Sequence, residues 1–103
     1  SVGEVLHFYS THTQPRKDKF HVCVAPNSFF VINTNPTFPP NVPIKQKECA
    51  FLDYDSFICC SLLCEFDSER FIPNDARRGT INNATAKRAL IINIYNFMIV
   101  AVG

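Results

Sequence analysis

Proline is unevenly distributed along this chain of 103 residues. Six of the seven prolines lie between Pro15 and Pro43, and none follows Pro73. Proline lacks a backbone N–H and clashes with the preceding helical turn, so it interrupts helices. The first part of the chain is therefore expected to form strands and turns, whereas the part after Pro73 is free to form a helix.

Apolar residues before Pro73 alternate with polar ones or run continuously, as is typical of strands. The pattern predicts five strands, at residues 2–10, 19–25, 29–34, 44–49 and 57–66. The four prolines between residues 34 and 43 predict an irregular excursion.

Alternation also assigns the faces of these strands. In the longest strand, one face should carry Ile58, Cys60, Leu62 and Cys64. A further short strand is expected to begin at Phe71 and Ile72, and residues 77–81 look like the edge of a hairpin.

The end of the chain has helical spacing, which predicts a helix over residues 84–100. Either Asn82 or Asn83 can cap it. Its many β-branched residues leave a strand as the alternative. The length corresponds to one domain, residues 1–103, in which antiparallel strands precede one helix, so the predicted class is mainly β.

Composition excludes two broad classes. Hydrophobic residues make up 47% of the chain and charged residues 18%, which excludes a disordered chain. The formal net charge of +1 excludes a uniformly basic nucleic-acid binder. The charges are nevertheless segregated, because six of the nine acidic residues lie between Asp53 and Asp75 and none follows Ala76.

Five cysteines are an odd number, and no pair has the spacing of a zinc site. They are expected to be reduced thiols that pack as small hydrophobic groups, with one reactive thiol as the alternative. We expect no metal and no cofactor. No leader is visible, and the uncharged run 89–102 is too short to cross a bilayer, so we expect a cytoplasmic protein without a membrane partner.

Several short motifs occur in an order that resembles a known family. They are Gly3-Glu4-Val5, Gln14-Pro15-Arg16, the segment 30–34, the long strand 57–67 and Arg78-Gly79-Thr80-Ile81 before the helix. Together they are similar to the PemK/MazF-type bacterial toxins. The resemblance implies an SH3-like antiparallel β-barrel with a C-terminal helix. It also implies a metal-independent endoribonuclease that cuts single-stranded RNA, forms a homodimer and is neutralised by an antitoxin protein.

Only part of the family's site has matching residues in this chain. Thr34 matches the catalytic threonine, and Arg16 matches a basic residue of the loop after the first strand. The family also has an arginine and an acid two residues apart on the long strand, where this chain reads Cys60-Ser61-Leu62. Either other groups catalyse, or the barrel is a catalytically inactive member of the fold that binds a protein or a nucleic acid without cutting.

Cleavage by the 2′-hydroxyl of RNA needs a base, an acid and a group that stabilises the phosphorane charge. His12 lies beside Arg16 in the sequence, so the candidate catalytic set is Arg16, Thr34 and His12. If the first two strands pair, His7 and His21 are also expected to approach each other.

Basic residues supply the candidate RNA contacts, which are Lys17, Lys19, Arg77 and Arg78. The alternative is that these basic residues lie in ordinary solvent-exposed turns. A third hypothesis, independent of the family, is a small β domain that binds a protein partner through an apolar face, because the terminal helix is nearly uncharged.

Overall fold

The computed structural model describes residues 1–10, 16–67 and 76–102, with side chains as far as Asn96. These residues form six strands and one α-helix. The strands are β1 (Glu4–Ser10), β2 (Lys17–Ala25), β3 (Ser28–Asn33), β4 (Asn41–Ile44), β5 (Ser56–Glu65) and β6 (Arg77–Thr80). The helix α1 is Asn83–Val102, and a short 3-10 turn covers Gln46–Glu48. The strand predicted to begin at Phe71 lies outside the described residues.

The strands form one antiparallel sheet in the order β4-β5-β3-β2-β1-β6. The sheet curls into a half-barrel, and α1 follows it. The predicted class, a mainly β barrel-like fold with a C-terminal helix, is confirmed. The predicted hairpin edge at residues 77–81 corresponds to β6, which pairs with β1 at the border of the sheet.

The prediction of a strand over residues 44–49 is wrong. The strand β4 lies earlier, at Asn41–Ile44, inside the segment predicted to be irregular, and the 3-10 turn occupies much of the predicted strand. Pro43 misled the prediction because proline removes a hydrogen-bond donor from a sheet. β4 is an edge strand, where one side of the backbone needs no partner, and proline is tolerated there.

The face assignment along β5 is correct for Ile58 and Cys60 but wrong for Leu62 and Cys64, since Cys64 pairs with Phe29 on the opposite face. Val31 of β3 pairs with Cys59, whereas Phe29, two residues earlier, pairs with Cys64 five residues later. The extra residues of β5 bulge out of the ladder, and a bulge breaks the alternation of faces. Leu62 is consequently 52% exposed.

Apolar residues pack on both faces of the sheet. The larger cluster joins one face to the helix and includes Val22, Phe30, Ile58 and Ala89. The smaller cluster lies on the other face and contains Leu6, Cys23, Phe29 and Ala76, with Phe8 and Phe66 packed against it.

The helix begins where the capping prediction places it. The Oδ1 atom of Asn82 accepts a hydrogen bond of 2.8 Å from the N–H of Ala84, as an N-cap side chain does. The small residues Ala86 and Ala89 are fully buried against the sheet. In the part of the chain that the structure describes, no helix is long and apolar enough to span a membrane.

One amide anchors the middle of α1 to the sheet. The Nδ2 group of Asn93 donates a hydrogen bond of 2.7 Å to the carbonyl oxygen of Cys60. Cys60 lies where the pairing of β3 with β5 is interrupted. The amide therefore supplies this carbonyl with a partner from the helix.

We expect Asn93→Ala to lower the free energy of unfolding by about 1–3 kcal/mol, because it leaves a buried carbonyl without its donor. Urea unfolding followed by circular dichroism measures this change. Asn96→Ala is the matched control, because Asn96 is exposed on the same helix and its loss should cost little. Equal effects of the two substitutions would contradict the anchoring role.

Candidate functional site

A cleft of about 270 Å³ lies beside the end of the sheet where β1 ends, β2 begins and β3 ends. Its lining includes Thr34, Lys17 and Lys19, three of the residues predicted from the sequence. It also includes His7, and Asp53 and Tyr54 from the segment before β5. The chain thus gathers polar groups here from positions far apart in the sequence.

The floor of the cleft is apolar. Phe20, Ile32 and Leu52 line it, and the last two are almost fully buried. The His7 ring lies against Phe20, with ring centroids 4.8 Å apart. The register pairs His7 with Phe20 and Phe20 with Ile32, so all three project from the same face of the sheet.

The two lysines approach the cleft differently from Thr34. Alternation along β2 sends Asp18 to the face of Phe20 and the side chains of Lys17 and Lys19 to the opposite face. There the Nζ group of Lys19 donates a hydrogen bond to the Oδ1 atom of Asn33. Burial lowers the pKa of Lys19, and the nearby charge of Lys17 lowers it further. The lysine pair therefore flanks the end of the cleft from the other side of the sheet.

The loop that carries Asp53 and Tyr54 is held at several points. Leu52 is buried before it, and its N–H donates to the carbonyl of Cys49. The Asp55 carboxylate accepts from the N–H of Gln46 at 2.9 Å and lies 3.7 Å from the Lys45 ammonium. The hydroxyl of the buried Ser56 donates to the carbonyl of Tyr54 at 3.0 Å. These contacts fix the loop and leave Tyr54 67% exposed.

The remaining predicted residues are not brought into this cleft. Arg16 directly precedes β2 and is exposed, and His12 lies outside the described residues. Arg77 belongs to the edge strand β6, where its Nε atom forms an ion pair of 3.1 Å with Glu4. The neighbouring Arg78 donates to the carbonyl of Arg77. β1 separates this arginine pair from the lysines of β2.

The expected approach of His7 and His21 is wrong. His21 pairs with Leu6, and His7 pairs with Phe20, so the two imidazoles project from opposite faces. His21 is fully buried and stacks on Phe8 with ring centroids 3.8 Å apart. Its Nδ1 atom lies 2.9 Å from the carbonyl oxygen of Lys19. His21 therefore belongs to the core, whereas His7 lies at the cleft.

The cysteines pack as small hydrophobic groups, as predicted. All five are free and buried. Burial raises the pKa of the Cys60 thiol to about 12 and that of Cys64 to about 11. Thiols with such pKa values are almost entirely protonated near neutral pH and react slowly. Among the described residues, no group of three or more His, Cys, Asp or Glu side chains could hold a metal ion.

We expect Cys60 and Cys64 of the folded protein to resist alkylation by iodoacetamide at neutral pH, because both thiols are buried and protonated. Mass spectrometry after timed exposure measures the modification. The same protein in denaturant should be alkylated at all five cysteines, which controls for the reagent. Rapid modification of Cys60 without denaturant would contradict the burial of its thiol.

A second, larger cleft of about 630 Å³ is lined partly by Glu4, Cys23 and Asp67. Three of the residues predicted for the site line the smaller cleft, and burial raises the pKa of Cys23 in the larger one. Among the described residues, no lysine, arginine or histidine lines the larger cleft, so its side chains offer little to a phosphate group. The smaller cleft is therefore the better candidate site.

Sequence reasoning left three groups of this cleft out of the candidate set. His7 was expected to approach His21 on the paired strands, and Asp53 and Tyr54 looked like part of an acidic turn. No local signal marks them, because only the fold brings the turn against the ends of β2 and β3.

Comparisons of the chain with protein-family models, with curated proteins and with solved structures find no match. The similarity to the PemK/MazF-type toxins therefore stays a prediction from short motifs, and the functional argument has to come from the site itself.

Proposed function

We propose that the cleft and the lysine pair together bind single-stranded RNA, and that the protein cleaves this RNA without a metal, as a PemK/MazF-like toxin component. One observation carries the proposal. Thr34 and His7 line a cleft at the same end of the sheet as Lys17 and Lys19. Groups suited to proton transfer thus lie next to groups suited to phosphate binding.

The lysine pair supports phosphate binding on electrostatic grounds. Two ammonium groups near each other repel, and an anion placed between them offsets that repulsion. The lowered pKa of Lys19 reflects burial and the charge of Lys17, and a bound phosphate would act against both effects. The exposed Arg16 immediately before β2 extends the same basic segment.

The cleft supplies groups for the chemical step. Attack by the ribose 2′-hydroxyl needs a base, and an imidazole such as that of His7 suits this role near neutral pH. The Thr34 hydroxyl is a hydrogen-bond donor for a phosphate oxygen, and the lysine charges favour the phosphorane. The bond from phosphorus to the 5′-oxygen breaks as the 2′-oxygen attacks, and the leaving 5′-oxygen takes its proton from water. We propose His7, Thr34 and the lysine pair as the working set, in which His7 takes the place of His12 in the candidate set.

The test is cleavage of a labelled single-stranded RNA in the presence of EDTA. We expect His7→Gln to lower the cleavage rate by about a hundredfold or more, because it removes the proposed base. Lys19→Ala should weaken RNA binding, because one phosphate contact is lost. The slope of log affinity against log salt concentration should become shallower by about one unit.

Lys47→Ala is the matched control, because Lys47 is exposed on the 3-10 turn and does not line the cleft. It should leave both cleavage and binding unchanged. Failure of the unsubstituted protein to bind RNA would overturn the proposal. Binding that responds equally to Lys47→Ala and Lys19→Ala would overturn the assignment of the lysine pair.

A second candidate function is RNA binding without cleavage. The observation that favours it is the segment Cys60-Ser61-Leu62, which stands where the family has its arginine and acid. Cys60 is fully buried, and the segment lies in the bulged part of β5. Binding of RNA that remains intact in the assay above would support this candidate over the first.

Antitoxin binding and homodimer formation belong to the first proposal. Ile91, Ile94 and Tyr95 on α1 are exposed large hydrophobic residues, and such residues are common at interfaces. Expression in bacteria with and without Thr34→Ala tests the toxin role. Growth arrest with RNA loss, relieved by the substitution, supports it, and normal growth with the unsubstituted chain contradicts it.

A further inference from the structure

Two carboxylates that line the cleft do not suit a phosphate. Asp18 and Asp53 both line it, and both are exposed carboxylates that would repel an anion. The lysine side chains, which attract phosphates, project from the opposite face of β2. An RNA strand that uses both features would keep its backbone at the end of the cleft, between Thr34 and the lysine pair, and place a base beside Asp53 and Tyr54.

The walls of the cleft suit a planar ring. Its floor is formed by Phe20, Ile32 and Leu52, and its rim carries Tyr54. Exposed aromatic side chains stack on unpaired bases of single-stranded RNA. The volume of about 270 Å³ lies just below the usual range of small-molecule pockets, roughly 300–1,000 Å³, which suits one base rather than several nucleotides.

One carboxylate at this rim is available to a ligand. Asp55 is engaged by the Gln46 N–H and the Lys45 ammonium, and these contacts hold the loop. Asp53, two residues earlier, forms no ion pair within the described part of the chain and is exposed. Since buried Leu52 and Ser56 flank the loop, the Asp53 carboxylate stands beside Tyr54 on a fixed support.

We infer that the cleft is a nucleobase subsite that prefers guanine, in which Tyr54 stacks on the base and the Asp53 carboxylate accepts hydrogen bonds from its N1–H and N2–H groups. The inference rests on the proposed RNA binding and names the part of the RNA that enters the cleft. Guanine presents two adjacent N–H donors on its Watson–Crick edge, and these match the two oxygens of one carboxylate. Adenine, cytosine and uracil each place an acceptor next to their donor on that edge.

The test is fluorescence anisotropy with a short 2′-O-methyl oligouridine, which cannot be cleaved through its 2′ position. Three versions carry guanine, hypoxanthine or adenine at one central position. We expect the guanine version to bind about tenfold more tightly than the other two, because hypoxanthine lacks the N2 amino group and adenine lacks both donors in this arrangement.

Asp53→Asn should abolish the preference for guanine, because an amide cannot accept two hydrogen bonds in the manner of a carboxylate. Asp18→Asn is the matched control: it makes the same change of charge in the same cleft and should raise the affinity for all three oligonucleotides while keeping the preference. Tyr54→Ala should weaken all three complexes, and Tyr54→Phe should preserve them. Circular dichroism confirms that each variant is folded.

The outcomes separate the inference from the proposed function. Binding of all three oligonucleotides with equal affinity overturns the guanine subsite and leaves RNA binding in place. A preference that survives Asp53→Asn, or that Asp18→Asn removes equally, also overturns the assignment to Asp53. No binding of any oligonucleotide overturns the proposed function and this inference together.

Discussion

Burial of the β2–β3 hairpin on both faces is the constraint around which the rest of the structure is arranged. Phe30 projects into the cluster beneath the helix, and Phe29 projects into the cluster on the opposite face. Both rings are almost completely buried, and burying one such side chain contributes about 1.5–3 kcal/mol. A hairpin that is apolar on both faces needs cover on both, which α1 provides on one of them.

The same two-sidedness shapes the candidate site. The first residues of β2 lie outside the core. Their side chains still alternate between the two faces, but they are polar. Asp18 follows the face of Phe20, whereas Lys17 and Lys19 follow the face of the buried His21. Within three residues, β2 thus presents a carboxylate to the cleft and two ammonium groups to the opposite face. This arrangement is the physical basis for the proposed separation of a base subsite from a phosphate contact.

The pairing of β5 with β3 is interrupted where the helix bonds to the sheet. The resemblance predicts the family's arginine and acid in this same segment. Where the pairing with β3 skips, the carbonyl of Cys60 is bonded by Asn93 instead, and Leu62 turns outwards. The segment that the resemblance would have made catalytic is used here to hold the helix. Under the proposed function the catalytic groups have to come from other strands, and we propose the cleft with His7 as their place.

Sequence by itself determined the class of the fold, most strand positions and the helix with its Asn82 cap. These features follow from local properties, namely proline placement, apolar alternation and the preference of short polar side chains for helix ends. It also predicted that the cysteines pack as small hydrophobic groups, because their odd number and their spacing fit neither a disulfide framework nor a zinc site.

Only the tertiary structure decided which polar residues meet. The prolines that predicted an irregular excursion concealed the edge strand β4, because tolerance of Pro43 depends on its being at the border of the sheet. His7 and His21 are equally polar in the sequence, and the register between β1 and β2 separates them, one to the cleft and one to the core. Asp53 and Tyr54 reach the cleft through contacts across the fold, and such contacts depend on sheet order, bulges and packing rather than on any local pattern.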